Sequence, residues 1–378
     1  MRNTELYSKA LGSVAAANIG SAMGAAVEWV SVPGGGWRAI EEHFGWVDGF
    51  LPWVQRERDV RYWNASPKLR YRHMDMAPGM TEDGAEIRYL LALALIEKGG
   101  RITVDDLAAV WLREIRREDI GRLVNPHIVI HLDRLAAGDE TSRIPPRLIG
   151  TLTPWPGLVD APHMIGPVGV VNACNPFQAA LDAAEVATLL QPPASGGVES
   201  CQVIAAATAE AFRPDATVES VVDAATRYVS RNTREIVQEA LEIAERHGDV
   251  RAIREPIRRH FAPTYPYADG VETAAEAIAL FWLTRGDVRT GMEGATNLGR
   301  DTDCIGGMLG PICGAFKGIN GVPSDWVDVV DRAIAANPYT VQRISMADLA
   351  EGLTRVTLAN AKEVRRQADE IERLHAAV

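Results

Sequence analysis

The most informative stretch of this sequence is residues 297–307, which read NLGRDTDCIGG. Asp301 and Asp303 stand two residues apart at the start of a predicted helix. Glycine then recurs at every fourth position, at Gly306, Gly310, Gly314 and Gly318. Residues spaced in this way share one helix face. The face is therefore nearly bare, and the start of the helix can lie deep in the core against another helix.

Two carboxylates at a buried helix start need a partner. They would repel each other and lose their hydration unless a cation lies between them. Hard divalent cations with oxygen ligands meet that need. The simpler alternative is that one aspartate caps the helix while its neighbour is solvated. The bare glycine face favours the first interpretation, so we predict a divalent metal site at Asp301 and Asp303.

A second acidic motif, Met80-Thr81-Glu82-Asp83-Gly84, lies at another predicted helix start. Here too a capping interpretation exists, since Thr81 can cap and acids in the first turn suit the helix dipole. Combined with the later motif, however, it supplies further ligands for a centre of two ions. Two ions about 3.5–4 Å apart can orient a substrate and activate water.

The first predicted helix, residues 5–29, carries a row of small side chains that ends at a carboxylate. The row has a spacing of four residues and consists of Gly12, Ala16, Gly20, Gly24 and Glu28. A smooth row of this kind lets another helix approach closely. The alternative for Glu28 is that it simply ends a tightly packed core helix.

Residues 31–80 are rich in proline and glycine and lack a regular apolar period. The segment holds four tryptophans, with Trp29 just before it: Trp37, Trp46, Trp53 and Trp63. Long loops inside compact proteins are often functional. The aromatic rings either cover a ligand or anchor the loop to the body of the protein.

Helical periodicity dominates the rest of the chain. We predict one all-α domain over residues 1–378, a compact orthogonal helical bundle with a tryptophan-rich loop insertion around 31–80. Residues 141–175 are predicted as loop. The helices after Thr81 are predicted at 81–98, 103–117, 123–137, 176–190, 198–212, 216–231, 233–247, 268–284, 287–298, 304–318, 324–336, 346–357 and 360–376.

Charge and cysteine content restrict the function classes. The net charge is −11 and the pI is near 5.3, which argues against a broad nucleic-acid or anionic membrane surface. The sequence begins without a predicted signal peptide, and no membrane span is expected. Four cysteines without a CxxC pair favour reduced thiols and a cytoplasmic location. The oligomeric state is left open.

Four short segments together resemble the ADP-ribosylglycohydrolase family, which includes the dinitrogenase-reductase-activating glycohydrolases. Residues 19–28, IGSAMGAAVE, are similar to the family's N-terminal helix, commonly IGDALGAPVE. Residues 81–83, TED, stand where the family has TDD, and residues 166–169, GPVG, are similar to its PIG loop. Residues 299–304, GRDTDC, are similar to its G-R/G-D-x-D-T motif and are the most specific of the four.

The resemblance implies a metal-dependent hydrolase that cleaves an N- or O-ribosyl bond of an ADP-ribosylated or related substrate. Its cofactor would be one or two Mg²⁺ ions, with Mn²⁺ as a substitute, which hold the ribose hydroxyls and orient water. Glu28 stands where some members have an acid near the ribose. The implied metal ligands are Thr81, Glu82, Asp83, Asp301, Asp303 and Cys304.

The chain departs from the family pattern at four positions near this centre. Ser21 and Glu82 each replace an aspartate, Gly84 replaces a threonine, and Cys304 replaces a threonine whose hydroxyl binds metal. A thiol sulfur suits magnesium poorly because hard cations prefer oxygen. One of the two ion positions can therefore be weakened or lost.

Hydrolysis of a ribosyl bond passes through an oxocarbenium-like state that a carboxylate can stabilise. The hypothesis assigns Asp83 and Asp303 to the ions and a proton-handling role to Glu28 or Glu82, with water activated by the metal as nucleophile. Two alternatives stay open: a non-catalytic relative that binds or has a structural role, and a hydrolase of another nucleoside or ester on the same scaffold.

Overall fold

The computed structural model describes residues 1–31, 36–54, 75–116, 126–138, 143–338 and 340–376. The all-α prediction is confirmed, since α-helices form nearly all its regular structure. Those of the first half are α1 (Glu5–Ser31), α2 (Gly36–Phe44), α3 (Asp83–Lys98), α4 (Val104–Glu114), α5 (Pro126–Ala136), α6 (Pro146–Ile149), α7 (Asp160–Met164), α8 (Gly166–Val171) and α9 (Pro176–Ala187).

Nine further α-helices follow in the described part of the second half. They are α10 (Gly196–Ala211), α11 (Val218–Arg227), α12 (Arg231–His247), α13 (Arg254–Phe261), α14 (Gly270–Thr284), α15 (Val288–Leu298), α16 (Thr302–Lys317), α17 (Ser324–Ala336) and α18 (Met346–Ala376). Short 3₁₀ turns cover Gly150–Leu152 and Ile319–Gly321. Strand β1 (Trp53–Val54) pairs antiparallel with β2 (Asp75–Met76), with Trp53 opposite Met76.

The two glycine-rich helices pack against each other, as their bare faces predict. Helices α1 and α16 run antiparallel, with Gly12 opposite Gly314. A Cβ atom built on Gly12 would lie 2.4 Å from the carbonyl oxygen of Gly314, and one built on Gly314 would lie 2.0 Å from that of Gly12. The two backbones are therefore in direct contact. This contact carries the start of α16 to the far end of α1.

Several predictions of secondary structure need correction. Residues 141–175 are not all loop, because α6, α7 and α8 lie there. Helix α13 was not predicted. The predicted break between 357 and 360 is absent, since α18 runs unbroken from Met346 to Ala376. Its buried apolar face ends near Thr357, which suggested the break, but no glycine or proline interrupts the backbone there.

The segment 31–80 is not wholly irregular where it is described, because it contains α2 and the β1–β2 pair.

Buried apolar side chains form one large cluster to which helices from α1 to α18 contribute. A small second cluster joins the end of α1 to α2 and the turn after it: Ala26, Val27, Ile40 and Val47. The assignment of one domain to residues 1–378 stays a prediction.

Helix α1 is the one described helix that is long and apolar enough, over Glu5–Glu28, to cross a membrane. However, 94% of its apolar window is buried inside the structure, which is the environment of a core helix. The cytoplasmic location stays a prediction.

Candidate metal centre

Helix α1 positions the aspartate motif at the start of α16. The hydroxyl of Thr302 donates to the backbone oxygen of Gly24 over 2.9 Å. A Cβ on Gly24 would lie 2.2 Å from the backbone nitrogen of Asp303, so only glycine permits this approach. As a result, Asp301 and Asp303 lie near Glu28, one turn further along α1, and both aspartates are buried.

The second acidic motif forms the start of α3, but its cap is not the predicted one. Glu82, rather than Thr81, is the N-cap residue. Its carboxylate accepts hydrogen bonds from the backbone nitrogens of Gly84 at 2.5 Å and Ala85 at 3.3 Å. The arm of glutamate is one methylene longer than that of aspartate, which lets it fold back onto the first turn. Thr81 is buried just before the cap.

The two motifs converge on Asp303. One set of carboxylate oxygens comes from Glu28, Asp301 and Asp303, and a second set comes from Glu82, Asp83 and Asp303. Within each set the oxygen atoms lie within 4.8 Å of one another. Four carboxylates from three parts of the chain therefore lie around that of Asp303 in two sets. A divalent cation with oxygen ligands would fit either set.

The pKa values of these carboxyl groups are raised because the groups are buried close to one another. Burial raises the pKa of Asp303 well above its usual range, and the neighbouring Asp301 charge raises it further. Burial and the Asp303 charge act in the same way on the pKa values of Glu28 and Glu82. Burial also raises the pKa of Asp301. The cluster therefore has to take up protons or bind a cation.

The orientation of Glu28 depends on a tyrosine from a distant loop. The hydroxyl of Tyr267 donates a hydrogen bond to Oε1 of Glu28. The loop is held by Arg300, whose Nη2 donates to the backbone oxygen of Pro266 at 2.7 Å and to Oε2 of Glu272 at 2.8 Å. Arg300 has a φ of +62°, so the residue before Asp301 adopts a strained backbone that directs its side chain to this loop.

A histidine that the sequence analysis did not single out lies within the same centre. His163 is 1% exposed, and its Nδ1 lies 3.0 Å from Sγ of Cys304. Its Nε2 lies 3.0 Å from Oγ of Ser21 and 3.7 Å from Oε1 of Glu82. Its position three residues before the GPVG segment was the one available clue. Burial lowers the pKa of His163 well below its usual range, and the Arg88 charge adds to this.

Arg88, a buried and positively charged side chain on α3, holds Ser21, which contacts His163. Its Nη2 donates to Oδ1 of Asn18 at 3.0 Å and to Oγ of Ser21 at 3.1 Å. Burial lowers the pKa of Arg88 to about 10, so it stays charged at neutral pH. A fixed positive charge therefore lies behind Ser21.

Two of the tryptophans anchor the described residues 36–54 to the body of the protein. The ring of Trp37 lies under the guanidinium of Arg254 at 4.3 Å, and the ring of Trp46 lies under that of Arg251 at 4.0 Å. These contacts fit the anchoring alternative. The side chains of Trp29 and Trp53, and all of Trp63, lie outside the described residues.

Two other predictions concern residues away from the aspartates. His127 and His131 stand four residues apart in the sequence, and a solvated or core role is predicted for them. Both are buried on α5, which fits a core role, and burial lowers the pKa of His127 to about 4. Cys174 and Cys201 are predicted to be small buried hydrophobes. Cys201 is buried, whereas Cys174 is exposed and the prediction for it is wrong. All four cysteines are free thiols.

Comparison with known proteins agrees with the fold. A sequence profile of the family described as ADP-ribosylglycohydrolase matches residues 2–364. A protein of Escherichia coli (strain K12), described as the uncharacterized protein YegU, is 23% identical over 296 residues, which are 75% of this chain and 81% of that protein.

A solved structure described as an ADP-ribosylglycohydrolase-related protein complex shares the fold. It superposes with a TM-score of 0.61 at 20% sequence identity and covers 93% of this chain and 99% of its own. At this level of identity, the likeness concerns the fold alone.

Proposed function

This chain belongs to the ADP-ribosylglycohydrolase family and is a glycosidase-type hydrolase, and we propose that it cleaves an N- or O-ribosyl bond with the help of divalent metal ions. The substrate class is an ADP-ribosylated protein or a related ribosyl compound. The preferred ions are Mg²⁺ or Mn²⁺, in one or two positions.

The observation that carries the proposal is the convergence of four carboxylates on that of Asp303. Its Oδ1 is buried and has no hydrogen-bond partner. A buried carboxylate oxygen without a partner costs free energy, of order 1–3 kcal/mol or more. A cation among these oxygens would remove that cost, so the residues present fit the implied metal.

The two oxygen sets divide the ligand roles. Glu28, Asp301 and Asp303 would hold one ion, and Glu82 and Asp83 would join Asp303 around a second. The buried Thr81 would add its hydroxyl to the second set. When bound, such ions neutralise the carboxylates and bring ribose hydroxyls and water to the centre.

The chain itself provides the proton handling. The hydroxyl of Tyr267 donates to Oε1 of Glu28 and so orients this carboxyl at the centre. A carboxylate held in this way can take a proton from water and return one to a leaving group. The carboxylate of Glu82 instead caps the start of α3, so Glu28 is our candidate for this role.

A substrate panel tests the function. The purified protein is incubated with ADP-ribosylated peptides, simple N- and O-ribosides and a phosphoester, each with Mg²⁺, Mn²⁺ or a chelator. We expect ribosyl release with either metal, none with the chelator, and no phosphoester cleavage.

Two results would overturn this proposal. Phosphoester cleavage without ribosyl release would indicate a different hydrolase on this scaffold. No turnover of any substrate, together with no magnesium binding in calorimetry, would indicate a non-catalytic relative.

A further inference from the structure

A second type of ligand set borders the carboxylates. It consists of His163, Cys304 and Asp303, whose ligand atoms all lie within 4.8 Å of one another. Nδ1 of His163 is 3.0 Å from Sγ of Cys304, which lies 4.0 Å from Oδ2 of Asp303. All three side chains are buried. The set therefore combines nitrogen, sulfur and oxygen, whereas the neighbouring sets contain oxygen alone.

The position of the imidazole is built into the fold. A Cβ on Gly84 would lie 2.1 Å from Nδ1 of His163, and a Cβ on Gly307 would lie 2.2 Å from its Nε2. The ring is thus enclosed between the starts of α3 and α16, and glycine is required on both sides. This enclosure fixes the direction in which each ring nitrogen points.

The surroundings of the ring leave Nδ1 available as a ligand. With its hydrogen on Nε2, neutral His163 donates to Oγ of Ser21 at 3.0 Å, and Oε1 of Glu82 lies on the same side at 3.7 Å. The lone pair of Nδ1 then faces Cys304. Histidines that bind metals typically donate their other N–H to an oxygen in this way.

The unpartnered carboxylate oxygen of Asp303, which supports the oxygen-only positions, also borders this set. Oδ1 of Asp303 is buried, and no donor within the described part of the chain reaches it. Asp303 is 4% exposed and belongs to this set as well as to the two carboxylate sets. A hydrogen bond between a thiol and an imidazole accounts for His163 and Cys304 but leaves this oxygen unsatisfied. A cation bound by Nδ1 of His163, Sγ of Cys304 and a carboxylate oxygen of Asp303 would place a positive charge beside this carboxylate.

We propose that His163 Nδ1, Cys304 Sγ and the Asp303 carboxylate form a binding site for one transition-metal cation of the zinc type, distinct from the oxygen-only positions. Thiolate and imidazole ligands favour Zn²⁺ over Mg²⁺. The thiol proton of Cys304 leaves to solvent when the ion binds. The inference shares Asp303 with the proposed function but does not depend on ribosyl cleavage.

Cobalt substitution provides the first test. The full-length protein is freed of metal with a chelator, the chelator is removed, and Co²⁺ is titrated while the near-ultraviolet spectrum is recorded. We expect a sulfur-to-cobalt charge-transfer band that saturates at one ion per chain, vanishes on addition of one equivalent of Zn²⁺, and survives an excess of Mg²⁺. Cobalt binding without this band would overturn the proposal.

Matched variants identify the sulfur. Cys304→Ser should abolish the band and weaken zinc binding at least about tenfold. Cys313→Ser is the control, because Cys313 is a buried cysteine on the same helix α16 that lies outside the ligand set. A band that persists in Cys304→Ser, or one that disappears in Cys313→Ser, would contradict the assignment.

X-ray absorption of the zinc-loaded wild-type protein requires no variant and so remains valid if Cys304→Ser fails to fold. It should show one sulfur near about 2.3 Å and nitrogen or oxygen ligands near about 2.0–2.2 Å. A shell of oxygen alone would overturn the proposal. Ribosyl release is assayed separately on the metal-free protein supplied with Mg²⁺ alone, so a cobalt–sulfur band in the titrated protein without hydrolysis in the magnesium protein would refute the proposed function and leave this site standing.

Discussion

Gly20 of α1 lies so close to Gly306 of α16 that a Cβ on Gly20 would be 2.3 Å from the carbonyl carbon of Gly306. The reverse contact is also too close for a side chain, since a Cβ on Gly306 would lie 2.7 Å from the carbonyl carbon of Gly20. Because both neighbours are backbone atoms, no side-chain rotation can relieve the clash. The distance between these two helices therefore sets where Asp301 and Asp303 stand relative to Glu28.

Gly20→Ala should consequently force the helices apart. We expect a loss of at least about 2 kcal/mol in the free energy of unfolding, measured by urea denaturation, because overpacking at a rigid contact is costly. Gly49→Ala is the control, since a Cβ there meets nothing within 4 Å. Equal stability of the Gly20→Ala and Gly49→Ala proteins would refute the close contact.

His163 and Gly84 should be energetically coupled. A Cβ on Gly84 would lie 2.1 Å from Nδ1 of His163, so Gly84→Ala should destabilise the protein by about 1–3 kcal/mol. In a His163→Ala background the same change should cost much less, because the ring is gone. A double-mutant cycle on unfolding free energies measures this coupling. Additive effects would show that the ring is not enclosed as described.

Glu86 should make stability depend on pH. Burial is the main cause that raises its pKa to about 7, although its carboxylate accepts hydrogen bonds from Thr340 and Val341 at 2.6 Å each. A folded-state pKa above the unfolded value means that the folded protein binds the extra proton. The stabilisation from Glu86 is therefore fully present below the unfolded pKa and is lost as the pH rises through 7.

The variant Glu86→Gln isolates this contribution. Between about pH 4.5 and 7, the wild-type protein should lose of order 1–3 kcal/mol relative to the variant. Urea denaturation with chelator present, at pH steps across this range, gives the difference. Parallel curves for the two proteins would exclude Glu86 as the titrating group.

Tyr267→Phe should lower turnover while leaving the fold intact. The variant removes the hydroxyl that donates to Oε1 of Glu28, so the carboxyl loses its orientation and its protonation is altered. We expect a drop in kcat of about tenfold or more and a shifted pH profile, since proton transfer by a positioned group contributes about 10²–10⁴-fold. Tyr265→Phe, on the same loop, is the matched control and should retain wild-type kinetics; an equal loss in both variants would refute the role of Tyr267.

The spacing of residues along the chain predicted that α1 and α16 pack closely together. Small residues at every fourth position indicated a bare face on α1 and another on α16, and the two faces meet in register. Glu82 shows the limit of local reasoning. Thr81 was the expected cap by residue type, but the longer carboxylate arm of Glu82 reaches the backbone nitrogens of Gly84 and Ala85.

The contacts that complete the site could not be read from the sequence. Ser21 and His163 are 142 residues apart in the chain, and Glu28 and Tyr267 are 239 residues apart. In each pair the two residues are too far apart in the sequence to lie on one helix, so helical periodicity does not predict the contact. The packing of α7 against α3 and α16 brings His163 to Ser21, and the loop before α14 brings Tyr267 to Glu28.

Asp303→Asn is the most direct test of the metal-dependent mechanism. It preserves the size of the side chain but removes the charge shared by all three ligand sets. With an ADP-ribosylated substrate and a magnesium titration, we predict that kcat falls at least about 10³-fold and that the magnesium requirement rises, because metal and substrate positioning are lost together. Asp287→Asn, at the exposed start of α15, should behave like the wild type. Undiminished ribosyl release by Asp303→Asn, with an unchanged magnesium dependence, would contradict the account.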